Sequence, residues 1–359
     1  MNYYCRNRGS RQLQGSDTLA HFNRERIPER VIPAHGVGAC GEFELTHDIS
    51  HLTDAKFPND IGTKSKALIQ VSKVGPGRGS ADTLRDVRGW ALKLFTEERN
   101  QDFVFNDIER TRYRLCLTRD TLRRTSLIAQ CQEGIHVLMM VFSDRGMPKS
   151  VRHVNGYSGH TYKLTKKDGS FNYVKIQFKS NQGNDTLMDA DATRLIGQDP
   201  DNHLADLWNL IKCGNFPFWT AYLQVMSPEQ AETYRWNIFD MTKIWPHADF
   251  PLLPFGKLTL NKNPGCYFTD IELAAFSPSK MVTDIAPAAD PIYGPYQRDG
   301  LMNATDNYGS DPNYVRSSLK PTVFKGNVGA SSYVTDNHQQ WVAGAVNSYT
   351  SEITDDDFA

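Results

Sequence analysis

The sequence predicts an α+β protein built on an antiparallel sheet or barrel. Three observations predict it: strand patterns that follow one another early in the chain, a hairpin whose turn is spelled out near the middle, and two amphipathic helical segments in succession after it. Strands alternating regularly with helices would instead have marked βαβ units and a parallel sheet.

The strand signals begin with Gly41-Glu-Phe-Glu-Leu-Thr46, which alternates apolar and polar residues. Ala67-Leu-Ile-Gln-Val-Ser72 reads as a buried or half-buried strand, and residues 89–95 alternate again. His136-Val-Leu-Met-Met-Val-Phe142 is apolar on both faces, as expected of an interior strand. The hairpin is residues 161–165 and 173–178 around Lys167-Asp-Gly169, where Asp168-Gly169 suits a position needing positive φ. Ala190, Leu195, Leu204, Leu207 and Leu210 then fall at helical spacing in two segments separated by Gln198-Asp-Pro200. Strands return at residues 219–225 and 256–260. From about Pro278 the chain is rich in Pro, Asn, Asp, Ser and Gly and loses periodicity, so it reads as an extended wrapping arm or a loose tail. The expected organisation is an N-terminal arm over 1–30, a core over 31–277 and a wrapping C-terminal segment over 278–359.

The chain has 359 residues, with 40 Lys and Arg against 41 Asp and Glu, giving a formal net charge of -1. That balance removes the attraction that nucleic-acid binders and peripheral membrane proteins rely on, so neither partner is expected. No apolar run approaches membrane-spanning length. Six Cys are scattered without a CxxC pair, which excludes a zinc ribbon or a thioredoxin-like site and predicts buried, reduced thiols. The N-terminus lacks the apolar region of a secretory signal, and Asp355-Asp-Asp-Phe-Ala359 does not spell a peroxisomal Ser-Lys-Leu address. An intracellular location, peroxisomal or cytoplasmic, is expected.

Gly75-Pro-Gly-Arg-Gly79 lacks the Lys-Ser/Thr of a phosphate loop and the spacing of a dinucleotide turn, so it reads as a tight turn between strands. Longer words are more specific. Residues 19–31, Leu-Ala-His-Phe-Asn-Arg-Glu-Arg-Ile-Pro-Glu-Arg-Val, resemble the segment that leads into the distal pocket of haem catalases. Residues 79–89, 142–148, 152–157, 244–254 and 296–300 match that family in the same order, as do Gln224-Val-Met226 and Gln230-Ala-Glu232. The resemblance covers roughly residues 17 to 315.

The resemblance implies an antiparallel β-barrel with helices, haem b, and dismutation of hydrogen peroxide to water and dioxygen. It identifies Asn106 as the residue that orients peroxide and Ser72 as the hydroxyl that supports the distal His position. Arg30 corresponds to a propionate-binding Arg, while Val31, Gly89 and Val104 correspond to further haem contacts. For the small-subunit members that bind NADPH, the matching positions are His136, Ser143, Arg145, Asn155, Tyr157, Lys179, Ile244, Trp245 and His247. The family implies a homo-oligomer, usually a tetramer.

The chain departs from the family pattern at named places. The distal His position is Pro33, in Arg30-Val-Ile-Pro-Ala-His-Gly36, and proline cannot carry a proton. His35 follows two residues on, the same strand face about 7 Å along, and is the candidate acid-base. Gln70 stands where the family has a second propionate Arg. Residues 108–114 replace an apolar stretch, and residues between Ile285 and Tyr296 are fewer than in the family, which removes the Arg-x-Phe-x-Tyr-x-Asp segment bearing the axial tyrosinate. Tyr293 and Tyr296 remain nearby without the adjoining Arg, so the metal ligand stays unassigned. Two alternatives remain open: a catalase-like haem and NADPH enzyme oxidising a small organic substrate in fungal secondary metabolism, such as ergot-alkaloid assembly, or a non-catalytic NADPH-binding protein.

Overall fold

Among the residues that the computed structural model describes, 35–55, 60–108, 132–278 and 281–287, ten strands follow one another. They are β1 (Gly36–Leu45), β2 (Lys64–Lys73), β3 (Arg88–Phe95), β4 (Asn100–Asn106), β5 (Gly156–Tyr157), β6 (Tyr162–Thr165), β7 (Phe171–Ser180), β8 (Phe218–Met226), β9 (Leu253–Lys262) and β10 (Ile285–Pro287). All lie in one unit, Ile32–Ile292. The sheet order is β10-β6-β7-β5-β4-β3-β2-β1-β9-β8, and β8 pairs back onto β7, so eight strands close an antiparallel barrel with β6 and β10 attached to it. Closure leaves the eight barrel strands without a free edge.

Period-two alternation decides which residues fill the barrel. Val37, Ala39 and Phe43 of β1, Ile69 and Val71 of β2, Trp90, Leu92 and Leu94 of β3, and Phe103 and Phe105 of β4 are buried on one face. Trp90 is fully buried, with its ring 4.7 Å from that of Phe178 and 6.0 Å from that of Phe105, both stacked. The opposite face of β1–β4 carries Gly36, Gly38, Gln70, Ser72, Gly89, Ala91, Val104 and Asn106. The candidate residues therefore stand outside the aromatic core.

The hairpin forms as the sequence predicts. β6 and β7 pair, Gly169 has φ of 85°, and Asp168 accepts the Ser170 N–H at 2.8 Å. Residues 136–142 do not form a strand. They lie in α1 (Gln132–Phe142), with Ser143 N–H bonded to the Met139 carbonyl at 3.0 Å. A short continuous apolar run has no alternation to separate strand from helix, and Leu-Met-Met is good helix-forming sequence.

The two predicted helical segments are α2 (Asp189–Gln198) and α3 (Asn202–Lys212), followed later by α4 (Pro228–Thr233). Leu207 is buried and Leu195, Leu204 and Leu210 are half-buried, but Ala190 is exposed and Ala192 takes the buried position. Gly75–Gly79 is not a tight strand-to-strand turn. It belongs to the longer loop 74–87, held by Asp86, whose carboxylate accepts the Val74 and Gly75 N–H groups at 2.7 Å each.

The thiols also differ from expectation. Cys213 and Cys266 are exposed because one follows the end of α3 and the other lies in the loop after β9, while Cys40 is half-buried on the outer side of β1. Cys5, Cys116 and Cys131 lie outside the described residues. The described start of the arm crosses β4, where Ser277 N–H donates to Asp102 and Val282 N–H to Gln101, both at 2.9 Å, before β10 pairs with β6. Asp102 is itself fully buried and paired with Lys93 at 2.5 Å. No helix among the described residues is long and apolar enough to cross a membrane.

Candidate functional site

Strand register brings three of the candidate residues into one row. Gly36 pairs with Ser72, Ser72 with Gly89, and Gly89 with Asn106, so the row runs straight across β1, β2, β3 and β4. The next row on the same face is Gly38, Gln70, Ala91 and Val104. Four of these eight residues are Gly or Ala, so the face is nearly flat. Among the described residues, a Cβ built on Gly89 would meet only Ser72, Oγ at 3.6 Å and the carbonyl at 3.7 Å, so the strip between Ser72 and Asn106 carries no side chain of its own. Gln70 is buried and lies over Gly36, where a Cβ would fall 2.6 Å from its Nε2.

The end of the row is clamped by backbone and carboxylate together. Asp107 N–H donates to the Arg88 carbonyl and Arg88 N–H donates to Asp107 Oδ1, each at 2.9 Å. Arg88 is buried, and its guanidinium donates to the carbonyls of Asp82, Leu84, Asp86 and Gly146. Register at Gly89 and Asn106 is therefore fixed from both strands.

His35 does not stand free beside that row. Its Nε2 lies 3.3 Å from Asp82 Oδ1 and 3.8 Å from Asp201 Oδ1, and Lys73 Nζ approaches the same Asp82 oxygen at 3.5 Å. The reason is the long loop after β2, which carries Asp82 to the start of β1; from sequence spacing alone this partner could not be found. Burial would raise the Asp82 carboxyl, but His35, His203 and Lys73 outweigh it and hold it below the usual range. Burial pushes the Lys73 ammonium down, with Asp82 opposing. His203 is buried, and desolvation, with Arg88 nearby, lowers its imidazole to about 4.

His35, Asp82 and Asp201 form the cluster of metal-type donors among the described residues. Lys73 already neutralises its buried carboxylate, so it is a proton-and-charge cluster. Tyr267 donates its hydroxyl to the Gly36 carbonyl at 2.8 Å, and burial holds the phenol well above its usual range. It is a neutral donor, unsuited to serve as a tyrosinate. Arg30, Val31, Pro33, Tyr293 and Tyr296 lie outside the described residues.

A second group of candidates gathers on the outer face of β5, β7 and β8. Asn155 Nδ2 donates to the Tyr157 hydroxyl at 3.0 Å, and Asn155 Oδ1 accepts the Ser180 N–H at 2.8 Å, beside Lys179. Trp245 is buried and packs with Met226, Ile238 and Phe250, with Lys175 Nζ 5.5 Å from its ring centroid. Ile244 is half-buried and His247 exposed. His136 lies on α1, and exposed Ser143 and Arg145 lie in the turn after it. The Ser143 hydroxyl donates to the Met140 carbonyl at 2.6 Å, and its carbonyl accepts Arg85 at 2.7 Å.

Sequence reasoning missed Gln177 and Gln224 on this face. The signal was present as the outward alternation Tyr173, Lys175, Gln177, Lys179 along β7.

A family model described as Catalase matches residues 7–125 and 118–294. A peroxisomal catalase of Candida albicans is 41% identical to the chain, with 86% of this chain and 74% of the relative covered. A catalase of Rattus norvegicus is 40% identical, with 85% and 67% covered. Among solved structures, a fungal catalase superposes with a TM-score of 0.71 at 38% identity, covering 86% of this chain and 72% of that one. Catalase A from Saccharomyces cerevisiae gives a TM-score of 0.70 at 36% identity, covering 86% and 74%. These names lend no support to the secondary-metabolite and non-catalytic alternatives. With a closed eight-stranded barrel, a matching family model and relatives of this identity, the chain belongs to the catalase family.

Proposed function

We propose that the chain is a haem-dependent catalase acting on hydrogen peroxide. The observation that carries this reading is the Gly36–Ser72–Gly89–Asn106 row, a flat strip open at Gly89 with a hydroxyl and an amide on either side. Its shape fits the face of a planar macrocycle. Haem b, when bound, supplies the redox chemistry that reduces one peroxide to water and oxidises a second to dioxygen.

The chain's own residues bind and orient. Val31 and Val104 give apolar contact to the ring, and Arg30 pairs with a propionate, a charge-assisted bond. The Asn106 amide has both a donor and an acceptor, so it fixes a peroxide by both ends. The Ser72 hydroxyl, across Gly89 from it, supports the distal acid-base. His35 Nε2 faces the Asp82 carboxylate at 3.3 Å, and its other ring nitrogen, Nδ1, takes or returns the peroxide proton.

NADPH is the second proposed ligand, held by Asn155, Tyr157 and Lys179 on the barrel, with His136, Ser143, Arg145, Ile244, Trp245 and His247 around them. Lys179 and Arg145 meet its phosphates. A homotetramer in the peroxisome or cytoplasm completes the reading, in keeping with the peroxisomal names of the Candida relatives.

The test is titration of the purified protein with haemin, followed by oxygen evolution from peroxide. Stoichiometric growth of a Soret band and oxygen release are expected, and no haem uptake would overturn the reading. His35→Ala should abolish turnover while leaving haem uptake intact; unchanged turnover would remove His35 from the mechanism.

A further inference from the structure

β4 ends at Asn106, the residue proposed to orient peroxide, and the residue after it is held to β3 in an irregular way. A regular antiparallel ladder would join Arg88 and Asp107 by two backbone bonds. One is made, from the Asp107 N–H to the Arg88 carbonyl at 2.9 Å. In place of the other, the Arg88 N–H donates to the Asp107 side chain, at Oδ1 and also at 2.9 Å. A carboxyl group thus completes the last rung of this strand pair.

That rung matters to its neighbour. Hydrogen-bonded and non-hydrogen-bonded pairs alternate along an antiparallel ladder, so Gly89 and Asn106 form a pair of the second kind. Their spacing is set by the rungs on either side, and the one that follows Asn106 is the one Asp107 completes. On its other flank Asn106 meets Tyr157 of β5, a strand of only two residues. Arg88 is a firm anchor, because its buried guanidinium is tied to the carbonyls of Asp82, Leu84, Asp86 and Gly146. Desolvation raises the Asp107 carboxyl to about 7, with Arg88 opposing. Ionised or neutral, it keeps an oxygen that accepts the Arg88 N–H, so the rung needs the acceptor rather than the charge.

We infer that Asp107 is a positioning residue for peroxide: by accepting the Arg88 N–H it fixes the end of β4 and, with it, the place of the Asn106 amide beside the strip. The inference rests on the catalase reading above, in which Asn106 is the residue that touches peroxide. A displacement of about 1 Å in a positioning group can cost on the order of a hundredfold in rate, so a rung one residue from Asn106 is close enough to count.

The experiment is a double-mutant cycle on the haem-loaded protein, read as oxygen release per bound haem at low peroxide. Its members are wild type, Asn106→Ala, Asp107→Ala, Asp107→Leu, Asp107→Asn and the Asn106→Ala/Asp107→Ala pair. Two apolar replacements guard against one of them failing to fold, and circular dichroism checks each. Asp107→Ala and Asp107→Leu should lose roughly tenfold, while Asp107→Asn, which keeps an acceptor oxygen, stays within about twofold of wild type. In the Asn106→Ala background, Asp107→Ala should change the rate by less than about twofold, because the residue through which it acts is gone. In haem-free protein, hydrogen exchange at the Arg88 amide should quicken in the apolar variants and not in Asp107→Asn. If wild type is active and the apolar variants match it, or their full loss persists without the Asn106 amide, this inference is overturned and the catalase reading stands. If wild type releases no oxygen, that reading falls and this inference with it.

Discussion

The outer faces of β1–β4 and of β5, β7 and β8 belong to one barrel but present a ligand with opposite surfaces. The first is made by removing side chains: Gly36, Gly38, Gly89 and Ala91 leave a strip on which only Ser72, Gln70, Asn106 and Val104 project. The second is made by adding them: Asn155, Tyr157, Lys175, Gln177 and Gln224 bond to one another or to the covering loop, with Lys179 next along β7 on the same face. A planar apolar group needs the first kind of surface, and a flexible polar one needs the second. Each face derives its character from the half of the period-two alternation that the core does not use.

The largest effect should come from spoiling the flat strip. Gly89→Val adds a branched side chain to the strip, and among the described residues the new Cβ meets no neighbour closer than Ser72 Oγ at 3.6 Å. The strand should accept it, since valine favours strands. Haem uptake should fall more than a hundredfold by Soret titration while NADPH affinity stays within twofold. Loss of both ligands together would show that the two faces are not independent.

The shared wall behind both faces is the aromatic core. Trp90 is fully buried and stacks on Phe105 of β4 and Phe178 of β7, so it joins the strands that carry the two proposed sites. Trp90→Ala should cost about 3–5 kcal/mol in urea unfolding, the usual range for emptying an aromatic site. Both ligands should bind more weakly in the same variant. A cost below about 1 kcal/mol would mean the two faces do not depend on a common support.

Much of this was legible in the sequence, and the reasons differ by region. Strands with clear alternation, such as 41–46 and 89–95, were predicted because one face is core and the other is not. The run at 136–142 was misread because it is apolar at every position, and α1 buries Val137 while leaving Met139 and Phe142 exposed. Ser72, Gly89 and Asn106 were found by resemblance, but their single row depends on strand pairing that no local pattern encodes. The pairing of His35 with Asp82 joins residues 47 positions apart through a loop, and the bond from the Arg88 N–H to Asp107 forms only where β3 and the end of β4 lie side by side. These are properties of the assembled barrel.

The smallest predicted effect separates the two faces by pH. His203 of α3 is 2% exposed, and its imidazole is lowered from 6.5 to about 4, chiefly by desolvation. Its folded value lies below its unfolded one, so between these limits the unfolded chain binds more protons. The stability it contributes is present above pH 6.5 and is lost as pH falls through that window towards 4, by up to about 3 kcal/mol. His203→Gln removes the titration, so its unfolding midpoint should fall less than that of wild type between about pH 7.5 and pH 5. The backbone N–H of Leu204, next to His203, donates to Asp82, the partner of His35, so acid should release haem before NADPH. Equal midpoint shifts in wild type and His203→Gln, or loss of NADPH first, would place the acid-sensitive element on the other face.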